Sequence, residues 1–464
     1  MKKTMIGATK IVLAMTLAAA FVSPLAADTW TRRDAGFSGF DWSDGTAWTN
    51  DTGTANTAPN QIGAIVLLPN ANAARSIVLS SMQTLGVFTQ NSTISGWSVD
   101  GTGAANAILN FNNGTAIASQ INLLGSTMPG FKNVDVRLNG DLIVTSSNSL
   151  RSDSIVILDA GSVTSGVGNM VIKNYNLDTT GTARQIIFSN TFNHTGWIIN
   201  EGSTARVSLG NSGVTGIVGS NVKGIKQNSA NAEMTFSSTA ALQNFTGEIL
   251  VQTGTLRFAL TGGVTVSALN MSKLTVAAGG VLYMDQSNLS IGSATLTGDG
   301  LIFARGTVAR TVYLTSGGHI APGTGSTGTL LVDGNVNVVA GVNFDYIVGA
   351  TTGLLDVTGA LTLPGTAGSV FLNINLDSGV TVGDYDLIHF GSLTGATTAN
   401  MTGRFIVDFN VAGMVAGTDY SLNVDTGRNM MYLTLTTIPE PSTWLLLGGG
   451  AALLAVLRLR RKNS

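Results

Sequence analysis

Cysteine is absent from all 464 residues. Without it there is no disulfide, no thiol chemistry and no cysteine metal site, so the fold must hold through core burial and backbone pairing. Charge is sparse as well, at 11% of residues. That speaks against a helical bundle, whose exposed faces are usually rich in Glu and Lys. Histidine occurs three times, as His194, His319 and His389, far apart and without a second ligand at metal-site spacing. His389 sits in the apolar run "DLIHF" and reads as structural. No Gly-x-Ser-x-Gly elbow is present, and "GTGSTGT" (323–329) lacks the lysine of a phosphate loop. No catalytic residue, metal site or cofactor is therefore expected.

Two carboxylate pairs deserve weighing, because two acids facing one groove would suit glycoside hydrolysis. Asp384 and Asp386 are two apart and would face the same side of a strand. Asp153 and Asp159 are the second pair. Alternating acids more often line a solvated edge, which is the reading preferred here. Asp299 in "TGDGL" lacks the surrounding aspartate ladder that a calcium site would need.

What the chain does have is glycine, 58 residues of it, set between short runs of Val, Ile, Leu, Phe and Thr. "SIVLSS" (76–81), "DLIVTSS" (141–147), "GTLRFAL" (254–260) and "GLIFARG" (300–306) are too short for stable helices and rich in β-branched residues, so they read as strands. Asn139-Gly140, Asp100-Gly101 and Asp333-Gly334 mark tight turns that call for positive φ. One pattern returns: a strand reaches a glycine turn, then a second apolar run begins. It occurs at 251–258, 276–284, 296–303 and 338–348. The second runs of the first three start at Thr255, Val281 and Leu301, a solenoid turn of about 20–26 residues apart. The expected fold is all-β, with a right-handed parallel β-helix (solenoid) core. An antiparallel β-sandwich is the alternative, above all after Asp333. Leu256, Phe258, Leu282, Leu301 and Phe303 are expected to point inward. Asn-rich stretches such as "LNFNNGTAI" (109–117) suit the polar ladders of stacked turns.

The two ends differ from this core. Lys2, Lys3 and Lys10 precede the apolar run Ile11–Val22, then come Pro24 and the small residues Ala26 and Ala27. This is the plan of a secretory signal peptide over 1–27, cut by signal peptidase after Ala27, with Ala26 as the other choice. Without both ends the core keeps 17 basic and 25 acidic residues, a net charge of −8. That argues against nucleic acid as a partner. Trp30, Trp42 and Trp48, with Phe37 and Phe40, gather near the mature N-terminus. They could stack on sugar rings, but a cap over the open end of the solenoid is the preferred reading.

After the core come Pro439-Glu440-Pro441, a 14-residue apolar run Trp444–Leu457, and the basic cluster Arg458, Arg460, Arg461 and Lys462. Fourteen residues span about 21 Å as a helix, which Ser442, Thr443 and snorkelling arginines can extend across the ~30 Å hydrocarbon core. The basic residues would stay cytoplasmic, leaving the core outside. These three parts, in this order, resemble the PEP-CTERM sorting signal. The resemblance implies cleavage by an exosortase-type membrane protease that reads Pro439, Glu440 and Pro441 ahead of the Arg458, Arg460 and Arg461 stop.

A second resemblance lies in the core. "FTGEILVQTGTLRFAL" (245–260) is similar to the autotransporter-associated β-strand repeat. "GGHIAPGTGSTGTLLVDGNVNVVAGVNFDYIV" (317–348) resembles the end of autotransporter-like passengers. "FDWSDGTAW" (40–48) resembles their first strands. The expected organisation is a signal peptide (1–27), a β-solenoid surface domain (28–437) and a sorting signal with a transmembrane helix (438–464). The expected function is that of an exported structural or adhesive protein of the cell surface or extracellular matrix, held transiently in the inner membrane and with extracellular polysaccharide as a partner. A polysaccharide-degrading β-helix enzyme is the alternative.

Overall fold

The computed structural model describes residues 28–438, apart from 34–39, 52–56, 70–74, 92–96, 115–116, 125–129, 147–154, 160–161, 176–184, 203–204, 211–216, 238, 260–264, 267–269, 285–287, 304–309 and 324. The segments 1–27 and 439–464 lie outside it, and with them Ala27, Pro439, Glu440, Pro441, Arg458, Arg460 and Arg461. Among the described residues no helix is long and apolar enough to cross a membrane.

The chain winds as a parallel β-solenoid with three strand faces per turn. Ile65–Leu68, Val87–Gln90, Ser119–Leu123, Leu142–Ser146 and Met170–Asn174 stack in parallel on the first face. Arg75–Val78 pairs with Trp97–Asp100 on the second face. Gln83–Leu85, Ile108–Phe111 and Asp135–Asn139 stack on the third. From Gly224–Phe236 through Lys273–Met284, single long strands run round the first corner and serve two faces, with register shifts at the bend.

Each turn leans on its neighbours through in-register apolar columns. Ile198, Ile225, Ile249, Leu274, Leu296, Ile320, Phe344 and Leu372 succeed one another on the first face. Met234, Leu256, Leu282, Ile302, Val332, Val357 and Phe390 do so on the second. All are buried. A turn cannot bury such a column alone, so stability propagates between neighbours.

The turn length read from the sequence is correct: Thr255 pairs with Val281 and Val281 with Leu301. The phase at the last position is not. Ile302 is buried, while Leu301 stacks outward on Val281 and Thr255, all three half-buried. Leu256, Phe258 and Leu282 do point inward; the side chain of Phe303 lies outside the described set. "LIF" offers apolar residues to both faces, and a one-residue shift moves every side chain to the other side. The fourth repeat, 338–348, belongs to a different corner. It joins third-face Asn335–Val338 to first-face Asn343–Val348.

The antiparallel sandwich weighed as the alternative after Asp333 is not what forms. Leu354–Thr362, Val370–Leu376 and Phe405–Phe409 continue the parallel stack. Asp333-Gly334, Asn139-Gly140 and Asp100-Gly101 are solenoid corners between successive faces, not hairpins. Gly101 is needed for closeness and not for positive φ: a Cβ there would collide with the Asn133 carbonyl of the next turn.

Corners interrupt the strand ladder and leave backbone N–H groups to be satisfied. Asp and Asn side chains one turn away do this. Val163 N donates to Asp135 (2.8 Å), Asn169 N to Asp141 (2.8 Å), Trp197 N to Asn169 (2.9 Å) and Ala360 N to Asn335 (2.8 Å). Deeper in, the buried Asn200 amide donates to Gln227 Oε1 (2.8 Å), and Gln227 donates to the Ala232 carbonyl (2.7 Å).

Candidate sorting junction at the C-terminal cap

At each end of the stack an antiparallel strand covers the outermost strand of one face. At the N-terminal end Trp48–Asn50 pairs antiparallel with Thr29–Arg32, the first strand of the first face. Trp30, Trp42 and Trp48 are buried there. Trp42 and Trp48 lie 5.2 Å apart, and their indole N–H groups donate to the Pro59 and Trp42 carbonyls. The Arg32 guanidinium stacks over Trp48 at 4.9 Å. Burial lowers its pKa to about 10, against the opposing pull of Asp44 and Asp41. These tryptophans cap the solenoid, and their burial leaves no faces for sugars. Phe37 lies outside the described residues, as does the side chain of Phe40.

The C-terminal cap is built from Gly383–Thr394, Met430–Leu435 and Tyr420–Asp425, paired antiparallel in that order. Asp384 and Asp386 do share an outward face, as their spacing predicts. Each is engaged across the cap: Asp384 accepts from the Thr434 hydroxyl (2.6 Å), and Asp386 pairs with Arg428 (3.1 Å). Arg428 also donates to Asp425 (2.7 Å), and that hydrogen bond leads the causes holding the Asp425 carboxyl below its usual range.

Leu435 is the last residue of the ladder, pairing with Gly383 and Tyr420. Thr436 and Thr437 are then latched to the 415–419 turn. Their N–H groups donate to the Asp419 carbonyl at 2.9 and 3.3 Å. The Thr436 hydroxyl donates to the Thr418 carbonyl, and the Thr437 hydroxyl to Asp419 Oδ1 at 2.5 Å. Asp419 Oδ2 accepts from Val415 N (2.9 Å) and so ties the turn to itself. The Thr437 hydroxyl is the main cause holding the Asp419 carboxyl below its usual range. This latch stands immediately before Ile438 and the Pro-Glu-Pro element.

The other sequence candidates are scattered. Asp159 accepts from Asn133 N (3.0 Å) and from the Ser162 hydroxyl (3.1 Å), a corner role; Asp153 lies outside the described residues. His389 pairs with Asp356 (2.5 Å) and His319 with Asp345 (2.6 Å). Sequence reasoning missed both pairs, although their separations of 33 and 26 residues are turn lengths, the one available signal. It missed the Asp419 latch too, because nothing local links positions 419 and 437. Among the described residues no three His, Asp or Glu side chains gather as a metal site.

No curated protein and no solved structure matches the chain. Residues 437–462 match the family described as the PEP-CTERM protein-sorting motif, beginning at the latched Thr437. The chain therefore carries a PEP-CTERM motif, which implies an exported protein sorted by an exosortase, a membrane enzyme.

Proposed function

We propose that this chain is an exported structural or adhesive cell-surface protein, whose solenoid an exosortase-type protease frees from a transient inner-membrane anchor. The observation that carries this reading is the position of the motif. It starts at Thr437, two residues after the last paired strand residue and latched by hydrogen bonds to Asp419 in the cap. Pro439 and Pro441 lack N–H donors and disfavour helix in the residue before each. Signal peptidase, cutting after Ala27, would open the export route. The likeness of 245–260 and 317–348 to autotransporter passengers agrees with a surface role, as does extracellular polysaccharide as a partner.

The runner-up is a polysaccharide-degrading enzyme, which would need two free carboxylates facing one groove. Asp384, Asp386 and Asp159 are each engaged by a partner in a cap or corner. That favours the structural reading. The test replaces Pro439, Glu440 and Pro441 with alanine in the native host, followed by fractionation and intact-mass measurement. Full-length protein held in the membrane is expected. Normal processing and release of this variant would refute the sorting reading.

A further inference from the structure

The outward side of the last three first-face strands sets exposed apolar residues beside a row of polar ones. Asn343–Val348, Val370–Leu376 and Phe405–Phe409 line a shallow groove of about 450 Å³. Asp345, Asn373 and Asp408 stand in register along its floor, one per strand. Adjacent strands lie about 4.8 Å apart, so this row offers a polar group at each step. Beside it Phe371 pairs with Ile406, and these are 39% and 44% exposed. On the other side stands Ile347, 36% exposed. Apolar side chains this open, on either side of a polar row, have no role in the core.

We propose that this groove, together with the exposed Phe371–Ile406 pair on its border, binds a segment of neutral polysaccharide, with sugar rings against Phe371 and Ile406 and hydroxyls on Asp408 and Asn373. This rests on the surface-protein reading above and gives it a ligand class. Sugars present apolar C–H faces and hydroxyls that both donate and accept, which suits alternating apolar and Asp/Asn rows. Size agrees, since small-ligand sites run to roughly 300–1,000 Å³. A protein partner fits less well, because its interface core needs a broad patch depleted in charge.

Charge separates the sugar classes. No Lys or Arg lines the groove, while two carboxylates do, which disfavours acidic sugars. Asp345 already bridges His319 (2.6 Å) and the Asn373 amide (2.7 Å). Asp408 is left as the open carboxylate. One exposed charge attracts a cation only weakly in water, so an amine-bearing sugar gains little over a neutral one.

The test uses processed protein purified from its host and calorimetric titration with hexasaccharides. Neutral glucose, galactose and mannose oligomers are compared with oligogalacturonate and chitosan hexamers. At least one neutral oligomer is expected to bind saturably, about tenfold more weakly to Phe371→Ala and to Asp408→Ala. Both side chains are exposed, so thermal midpoints should match wild type, and Val382→Ala, exposed elsewhere, should bind as wild type does. Absence of binding to every neutral oligomer, preference for the acidic or amine-bearing one, or equal affinity in the variants would overturn the proposal. The Pro439–Pro441 replacement reads sorting alone. Normal sorting without sugar binding sinks this inference and spares the sorting reading, and sugar binding with failed sorting does the reverse.

Discussion

Lowering the pH from 7 to 4 is expected to remove about 3 kcal/mol of stability through one side chain, His194. This residue lies at the corner between Thr191–Phe192 and Trp197–Asn200, fully buried. The Phe192 ring meets it edge-on at 6.3 Å. Its Nε2 faces the Trp197 carbonyl at 3.5 Å, a contact too long to hold a proton firmly. Burial dominates and pulls the pKa from 6.5 down to about 4. In the unfolded chain the imidazole takes up a proton near pH 6.5; in the folded protein it stays neutral until about pH 4. The contribution is therefore complete above pH 6.5 and declines as pH falls through that window. Below about pH 4 both states are protonated and the loss levels off. A shift of about 2.5 units at about 1.36 kcal/mol each gives the total, of which about 2 kcal/mol is gone at pH 5.

The assay is urea denaturation of wild type and His194→Phe at pH 7, 6, 5 and 4. Phenylalanine fills similar space and cannot titrate. The difference between the two proteins isolates His194, because His319 and His389 are present in both. The carboxyls of Asp41, Asp44 and Asp100, held below their usual range, are likewise present in both proteins and cancel in the difference. Parallel stability curves for the two proteins between pH 6.5 and 4 would refute the reasoning.

Gly196→Ala would drive a Cβ into the Gly168 carbonyl oxygen of the preceding turn. It is expected to cost about 1–3 kcal/mol, read from thermal midpoints, and a shift within error of zero would contradict the stacking described. Asp419→Ala should open the latch without lowering the thermal midpoint, so that limited proteolysis at Thr436–Ile438 accelerates. Thr437→Val should act alike and Thr437→Ser should not; indifference of all three would show that the latch is not formed in solution.

How far the sequence disclosed this fold depended on distance along the chain. The register of Thr255, Val281 and Leu301 was visible because a glycine precedes each second run and the same corner recurs. The phase was hidden at Leu301-Ile302-Phe303, where neighbouring apolar residues satisfy either face. Asp333-Gly334 was legible as a tight turn, but the residues that suit a hairpin turn also suit a solenoid corner, and only the direction of the next strand tells them apart. Nothing local marks the amides of Asn200 and Gln227, which form a buried hydrogen-bonded step between residues 27 apart. The sorting element was legible as three adjacent local features, whereas its latch joins residues 18 apart with no local mark.

The antiparallel caps explain why processing at the motif need not disturb the body. A parallel stack leaves an open strand edge at each end, and such an edge invites pairing with another chain. Here Trp48–Asn50 and Met430–Leu435 cover edges of the first and last turns from within the chain. Pairing in between joins strands of adjacent turns, such as Val281 with Leu301 and Thr29 with Ile65. Coupling of that kind passes only from turn to neighbouring turn. Thr436 and Thr437 reach no farther than Thr418 and Asp419, on the outermost layer of the cap. Among the described residues no strand pairing involves a residue beyond Leu435, so the paired ladder ends before the matched motif begins.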